Sequence, residues 1–163
     1  MMDEQDIMQQ QALILFDRAY RHHRQGELAE AMNLYKRSIA IQPTAEAHTF
    51  LGWAYGTMGR HDEAIAECEQ AIAVDPSYGN PYNDIGVYLL EMGDAETAVS
   101  WFQQALTASR YEEPQLPRFN MGRAYEHMGE PLLALRWYRA ALEIDPLFLP
   151  AERAKNLLLG KLN

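Results

Sequence analysis

Between residues 45 and 76 the apolar side chains recur at helical steps, break once and resume. Leu51, Gly52 and Tyr55 sit at i, i+1 and i+4, and Gly59 follows four residues later. Beyond it, Ala64, Cys68 and Ala71 return at steps of four and three. Each set makes one face of a helix with 3.6 residues per turn. The stretch therefore predicts two short amphipathic helices joined by a tight turn. Asp75-Pro76 ends the second, because proline lacks the amide N–H and disfavours a helical residue before it.

The same arrangement returns along the chain. Gly26, Gly59, Gly93 and Gly129 each close a first helix, at steps of 33, 34 and 36. Ala31, Ala64, Ala98 and Ala134 each lie five residues beyond their glycine, and Tyr35, Cys68, Phe102 and Tyr138 come four later. Pro43, Pro76 and Pro146 end three of the four copies. A fixed period near 34 with helix–turn–helix content signals a stacked-repeat architecture.

These positions resemble the tetratricopeptide repeat, whose pattern is W-x2-L-G-x2-Y, then A-x3-F, then P. Residues 45–78 carry it as His48, Leu51-Gly52, Tyr55, Ala64, Cys68 and Pro76. Residues 79–112 carry Tyr82, Ile85-Gly86, Leu89, Ala98 and Phe102, with Arg110 in place of the proline. Residues 115–148 carry Arg118, Met121-Gly122, Tyr125, Ala134, Tyr138 and Pro146. The loosest copy, 12–44, has Leu15, Arg18-Ala19, His22, Ala31, Tyr35 and Pro43. The resemblance implies an all-α fold: an alpha-alpha superhelix, a right-handed solenoid of four antiparallel helix hairpins plus a capping helix. The small residue at the eighth position (Ala19, Gly52, Gly86, Gly122) lets the facing helix approach closely. Glycine inside a helix costs about 1 kcal/mol against alanine, so three of them point to a packing need.

Residues 1–11 are polar and glutamine-rich, a partly helical or disordered extension of the first helix. Asn80-Pro81 reads as an N-cap and first-turn proline. The segment 110–117 is the irregular junction: it has no proline at position 110, gains two residues, and places Pro117 in the first turn of a helix. Residues 149–163 read as the capping helix, entered at Pro150 and closed by Gly160, with Leu147, Ala151, Ala154 and Leu158 as its inner stripe. Of Leu157, Leu158 and Leu159, at least one faces outward.

The length of 163 residues suits one domain of four repeats, with 48% hydrophobic content to order it. The net charge of −9 is uneven. Residues 38–109 hold one basic residue, Arg60, against ten acidic ones, whereas the segments on either side are nearly balanced. An acidic chain is a poor binder of phosphate backbones, so no nucleic-acid partner is expected. No stretch approaches the roughly 18 apolar residues of a membrane helix, and MMDEQDIMQQQ has no basic region leading into an apolar one. No membrane partner and a cytoplasmic location are the expectations. The single cysteine, Cys68, occupies a core slot and reads as a buried thiol. No HExxH, zinc spacing, phosphate loop or activated nucleophile occurs. No metal, no cofactor and no enzymatic activity are expected.

What remains is a groove. In the family that the chain resembles, the first helix of each hairpin lines a concave surface through its second, fifth, sixth and ninth positions. Here those are Leu13, Phe16, Asp17 and Tyr20; Glu46, Thr49, Phe50 and Trp53; Asn80, Asn83, Asp84 and Val87; and Leu116, Phe119, Asn120 and Arg123. The core slots are filled by other residues, so the aromatics of this set are expected either to anchor a ligand or to tuck between neighbouring helices. The asparagines can donate to and accept from a peptide backbone. Chaperone-docking members of the family hold a C-terminal carboxylate with lysine, arginine and asparagine. The matching positions, Phe16 and Tyr20, Phe50, Asn80 and Asp84, do not provide that clamp. The expected function is a protein–protein interaction scaffold or adaptor that binds a peptide or partner helix. The alternatives are a self-assembling homo-oligomer, in which a neighbour's terminal helix fills the groove, and a small chaperone for a secreted substrate.

Overall fold

The computed structural model describes residues 1–163, and its regular structure is nine α-helices. They gather into two compact units, Met1–Pro76 and Ser77–Asn163. The first holds α1 (Glu4–Arg24), α2 (Leu28–Ile41), α3 (Ala45–Thr57) and α4 (His61–Val74). The second holds α5 (Asn80–Glu91), α6 (Ala95–Thr107), α7 (Gln115–His127), α8 (Pro131–Ile144) and α9 (Leu149–Leu162). Within them α1 packs on α2, α3 on α4, α5 on α6 and α7 on α8.

Each hairpin turns in the same way. Gly26, Gly59, Gly93 and Gly129 all have φ between 74° and 91°, a region that glycine enters without the Cβ clash. The next amide reaches back five residues: Glu27 to His22 at 3.0 Å, Arg60 to Tyr55 at 3.0 Å, Asp94 to Leu89 at 2.8 Å and Glu130 to Tyr125 at 2.9 Å. These bonds satisfy carbonyls that the helix end leaves open.

The small eighth position meets the residue sixteen further on. A Cβ on Gly86 would lie 2.4 Å from the Phe102 ring, and one on Gly122 would lie 2.4 Å from Tyr138. At Gly52 it would meet Cys68 Sγ at 3.2 Å. Phe102 is fully buried and shares a core with Leu90, Ala98, Met121 and Ala124, so one ring packs both its own hairpin and the next. In the first unit the hydroxyl of buried Ser38 donates to the Ala12 carbonyl at 2.7 Å, tying α2 to α1.

α1 begins at Glu4, with Asp3 and Asp6 forming a reciprocal capping box, so residues 1–11 take the partly helical of the two expected forms. Three other helix ends differ from expectation. The N-cap of α5 is Gly79, and Asn80 is already helical. α9 runs through Gly160 to Leu162, so glycine does not close it. Leu147 is 87% exposed, and the ring that packs inward is Phe148, 5.5 Å from Phe119. Leu147 lies before α9, outside the helical periodicity, while Ala151, Ala154 and Leu158 of the expected stripe do pack inward. Leu158 is buried, Leu157 exposed and Leu159 between them. At the irregular junction, Arg110 donates its amide to Ser77 and accepts from Gly79, both at 3.0 Å, which braces the loop against the start of α5.

Candidate peptide-binding faces

In the first unit the expected residues of α1 and α3 form one aromatic cluster. Phe16 and Tyr20 meet Phe50 edge-on, with centroids 5.3 and 5.4 Å away. Phe50 in turn meets Trp53 at 5.8 Å. Each such pair contributes about 0.5–1.5 kcal/mol beyond its buried area. Phe16 and Phe50 are half-buried, while Tyr20 is 36% and Trp53 45% exposed. The cluster thus has a packed floor and two open rims. Beside Phe16 lies a cleft of about 310 Å³, lined also by Leu13, Gln42 and Glu46. Thr49 does not contribute: its buried hydroxyl bonds the Ala45 carbonyl at 2.7 Å.

The ring that sequence reasoning missed is His23. It lies 4.2 Å from Trp53 and bonds the Tyr35 hydroxyl through Nδ1 at 3.2 Å. Its Nε2 is buried without a hydrogen-bond partner, and burial holds the imidazole below its usual 6.5. Ala12, Leu15, Ala19 and His23 form the buried stripe of α1, a spacing visible in the sequence but masked by the neighbouring arginines. His22 instead reaches Glu27.

The α5–α7 face of the second unit is polar. Arg123 donates to Asn120 Oδ1 at 3.1 Å, Asn120 donates to Asn83 Oδ1 at 3.0 Å, and Asn83 donates to Asp84 Oδ1 at 3.4 Å. The ends set the direction, because a guanidinium only donates and a carboxylate only accepts. Asn83 and Asn120 are each 5% exposed; each amide bonds the other and one charged neighbour of the ladder. Burial pushes the Asp84 carboxyl up to about 7 from 3.8, with Glu113 adding to the rise and the Asn83 bond opposing it. Asn80 and Val87 are half-buried. Phe119 packs against Tyr138 at 5.8 Å and lies 6.0 Å beneath the Arg123 guanidinium. No three His, Cys, Asp or Glu side chains come together as a metal-binding group.

Helix hairpins closed by glycine, repeated at a period near 34 residues, define a helical-repeat protein. Sequence models of the tetratricopeptide repeat match residues 12–37, 45–78 and 79–146. The chain belongs to the tetratricopeptide repeat family, and its fold is of the all-α superhelix class. Among curated relatives, it is 36% identical over 77 residues to TPR repeat-containing thioredoxin TTL4 of Arabidopsis thaliana; the match spans 47% of this chain and 11% of that one. It is 29% identical over 127 residues to anaphase-promoting complex subunit 6 of the same plant, 74% of this chain and 23% of that one. The chain thus spans less than a quarter of the length of either relative. Among solved structures, Pseudomonas aeruginosa PilF superposes with a TM-score of 0.86 at 21% identity, over 98% of this chain and 71% of that one. At this identity the likeness is one of fold alone.

Proposed function

We propose that this chain is a protein–protein interaction scaffold that takes a peptide or partner helix on the faces of its first helices. Tetratricopeptide repeat proteins generally mediate protein–protein interaction. The observation that carries the reading is the α1–α3 cluster, where Tyr20 and Trp53 stay open above a packed ring floor. Exposed aromatics on a preformed support lose little conformational freedom on binding and act as anchors. The chemistry of this face is recognition of shape and apolar side chains, with no catalytic role.

Selection of random peptides on the immobilised protein tests this reading. Truncating a hot-spot aromatic costs about 2 kcal/mol or more, which is about thirtyfold in Kd. Trp53→Ala should therefore weaken a selected peptide by at least that factor, and Tyr20→Ala should weaken it too. A peptide that binds both variants as tightly as the unaltered protein sinks the proposal for this face.

Self-association is a second reading, with its own observation. α1 exposes Ile7, Met8 and Ile14, and α9 exposes Leu149, Leu157 and Leu162. Apolar residues on both terminal helices provide surface for a further copy.

A further inference from the structure

The chain of hydrogen bonds on the α5–α7 face is unequal at its two ends. At the donor end, Arg123 is bonded to Asn120 at 3.1 Å and lies over Phe119. At the acceptor end, Asp84 receives only the Asn83 amide, at 3.4 Å. An ionised carboxylate has about four acceptor sites, so most of its capacity is open. No lysine or arginine of the chain pairs with it; the charged group near it is Glu113, while burial and the Asp84 charge keep the neighbouring Tyr111 phenol neutral. Glu113 disfavours a second negative charge. Asp84 is nevertheless half-buried rather than enclosed. A lone carboxylate in such a place is costly without a partner cation.

We propose that Asp84 is the anchor for a lysine or arginine side chain of a partner peptide lying on the α5–α7 face. The inference rests on the peptide-binding reading above and names the partner's chemistry. An ammonium or guanidinium supplies the donors that the carboxylate lacks, in a charge-assisted bond about twice as strong as a neutral one. A divalent metal ion does not fit, because it needs several oxygen ligands and no such group forms here. An anionic side chain would meet Asp84 and Glu113 with like charge. The local sequence agrees: residues 80–107, which hold α5 and α6, carry four acidic residues and no lysine or arginine.

A different role for the same residues is to hold α5 in register with α7. Asp84→Asn separates the two roles. The asparagine keeps a carbonyl oxygen for Asn83 and removes only the charge, so the ladder and the fold persist. Random peptides would be selected in parallel on the unaltered protein and on Asp84→Asn. One selected peptide and its Lys→Gln or Arg→Gln version would then be titrated against both proteins by fluorescence anisotropy. The unaltered protein should enrich a basic residue at one fixed position, and the variant should lose that enrichment. Either substitution alone should weaken binding about tenfold or more, and the second should add little once the first is made. Selected peptides without a fixed basic residue, or equal losses on both proteins, overturn the inference and leave the peptide-binding reading standing. Failure of the unaltered protein to enrich any peptide overturns both.

Discussion

At the scale of single residues, His23 gives the first unit a pH-dependent stability. Unfolded, its imidazole takes a proton near 6.5; folded, burial keeps it neutral to lower pH. Between those two values the unfolded chain binds more protons, so stability falls as pH falls. The contribution is complete above 6.5 and is lost as the pH drops through 6.5 toward the lowered value. His23→Phe keeps a ring against Trp53 and Tyr35 and removes the titration. Its urea midpoint should therefore fall less between pH 7.5 and pH 5.5 than that of the unaltered protein. The natural readout is Trp53 fluorescence, with Trp101 and Trp137 replaced by phenylalanine. Equal falls in the two proteins would remove His23 from the account. The residue scale is also where the sequence was least legible. Asn83 and Asn120 were identified as surface amides for a ligand, yet they bond each other across 37 positions. Both are polar residues at matched repeat positions. Which partner an amide chooses depends on a distance between α5 and α7 that no local rule supplies.

At the scale of the element, turns and close contacts were legible because each has a local chemical cause. The two kinds of glycine predict different outcomes. In Gly86→Ala the new Cβ meets the buried Phe102 ring at 2.4 Å, overpacking that costs about 1–3 kcal/mol. In Gly52→Ala it meets Ala64 O at 3.0 Å and Cys68 Sγ at 3.2 Å, a milder conflict, so the loss should be smaller. Gly93→Ala meets nothing within 4 Å but keeps φ at +91°, and left-handed backbone costs about 1–2 kcal/mol for a residue with a Cβ. Adding Phe102→Leu should recover part of the Gly86→Ala loss and none of the Gly93→Ala loss. Urea denaturation of these variants checks both the ranking and the rescue. Helix ends were less legible for a geometric reason. On α9 the spacing correctly predicts Ala151, Ala154 and Leu158 as the inner stripe. Leu147 precedes the helix, which begins at Leu149, so helical periodicity does not set its direction, and Phe148 packs inward instead.

At the scale of the whole molecule, charge opposes the apolar terminal helices. With a net charge of −9 at pH 7 and an isoelectric point near 5.0, copies repel one another at neutral pH, and salt or acid weakens that repulsion. If the exposed residues of α1 and α9 drive self-association, light scattering should show mass rising with protein concentration. The rise should be steeper at high salt, where screening helps and apolar burial remains. Ile14→Glu and Leu157→Glu should each abolish it, since both side chains are more than half exposed and their loss leaves the core intact. Trp53→Ala then locates the contact. If it too returns the protein to a monomer, the aromatic face of the first unit is holding a second copy, and a foreign peptide must compete for it. If Trp53→Ala still associates while the glutamate variants do not, the helix ends join copies and the aromatic face stays open. A mass that stays monomeric at every concentration and salt rejects self-association, leaving both faces to ligands of another kind.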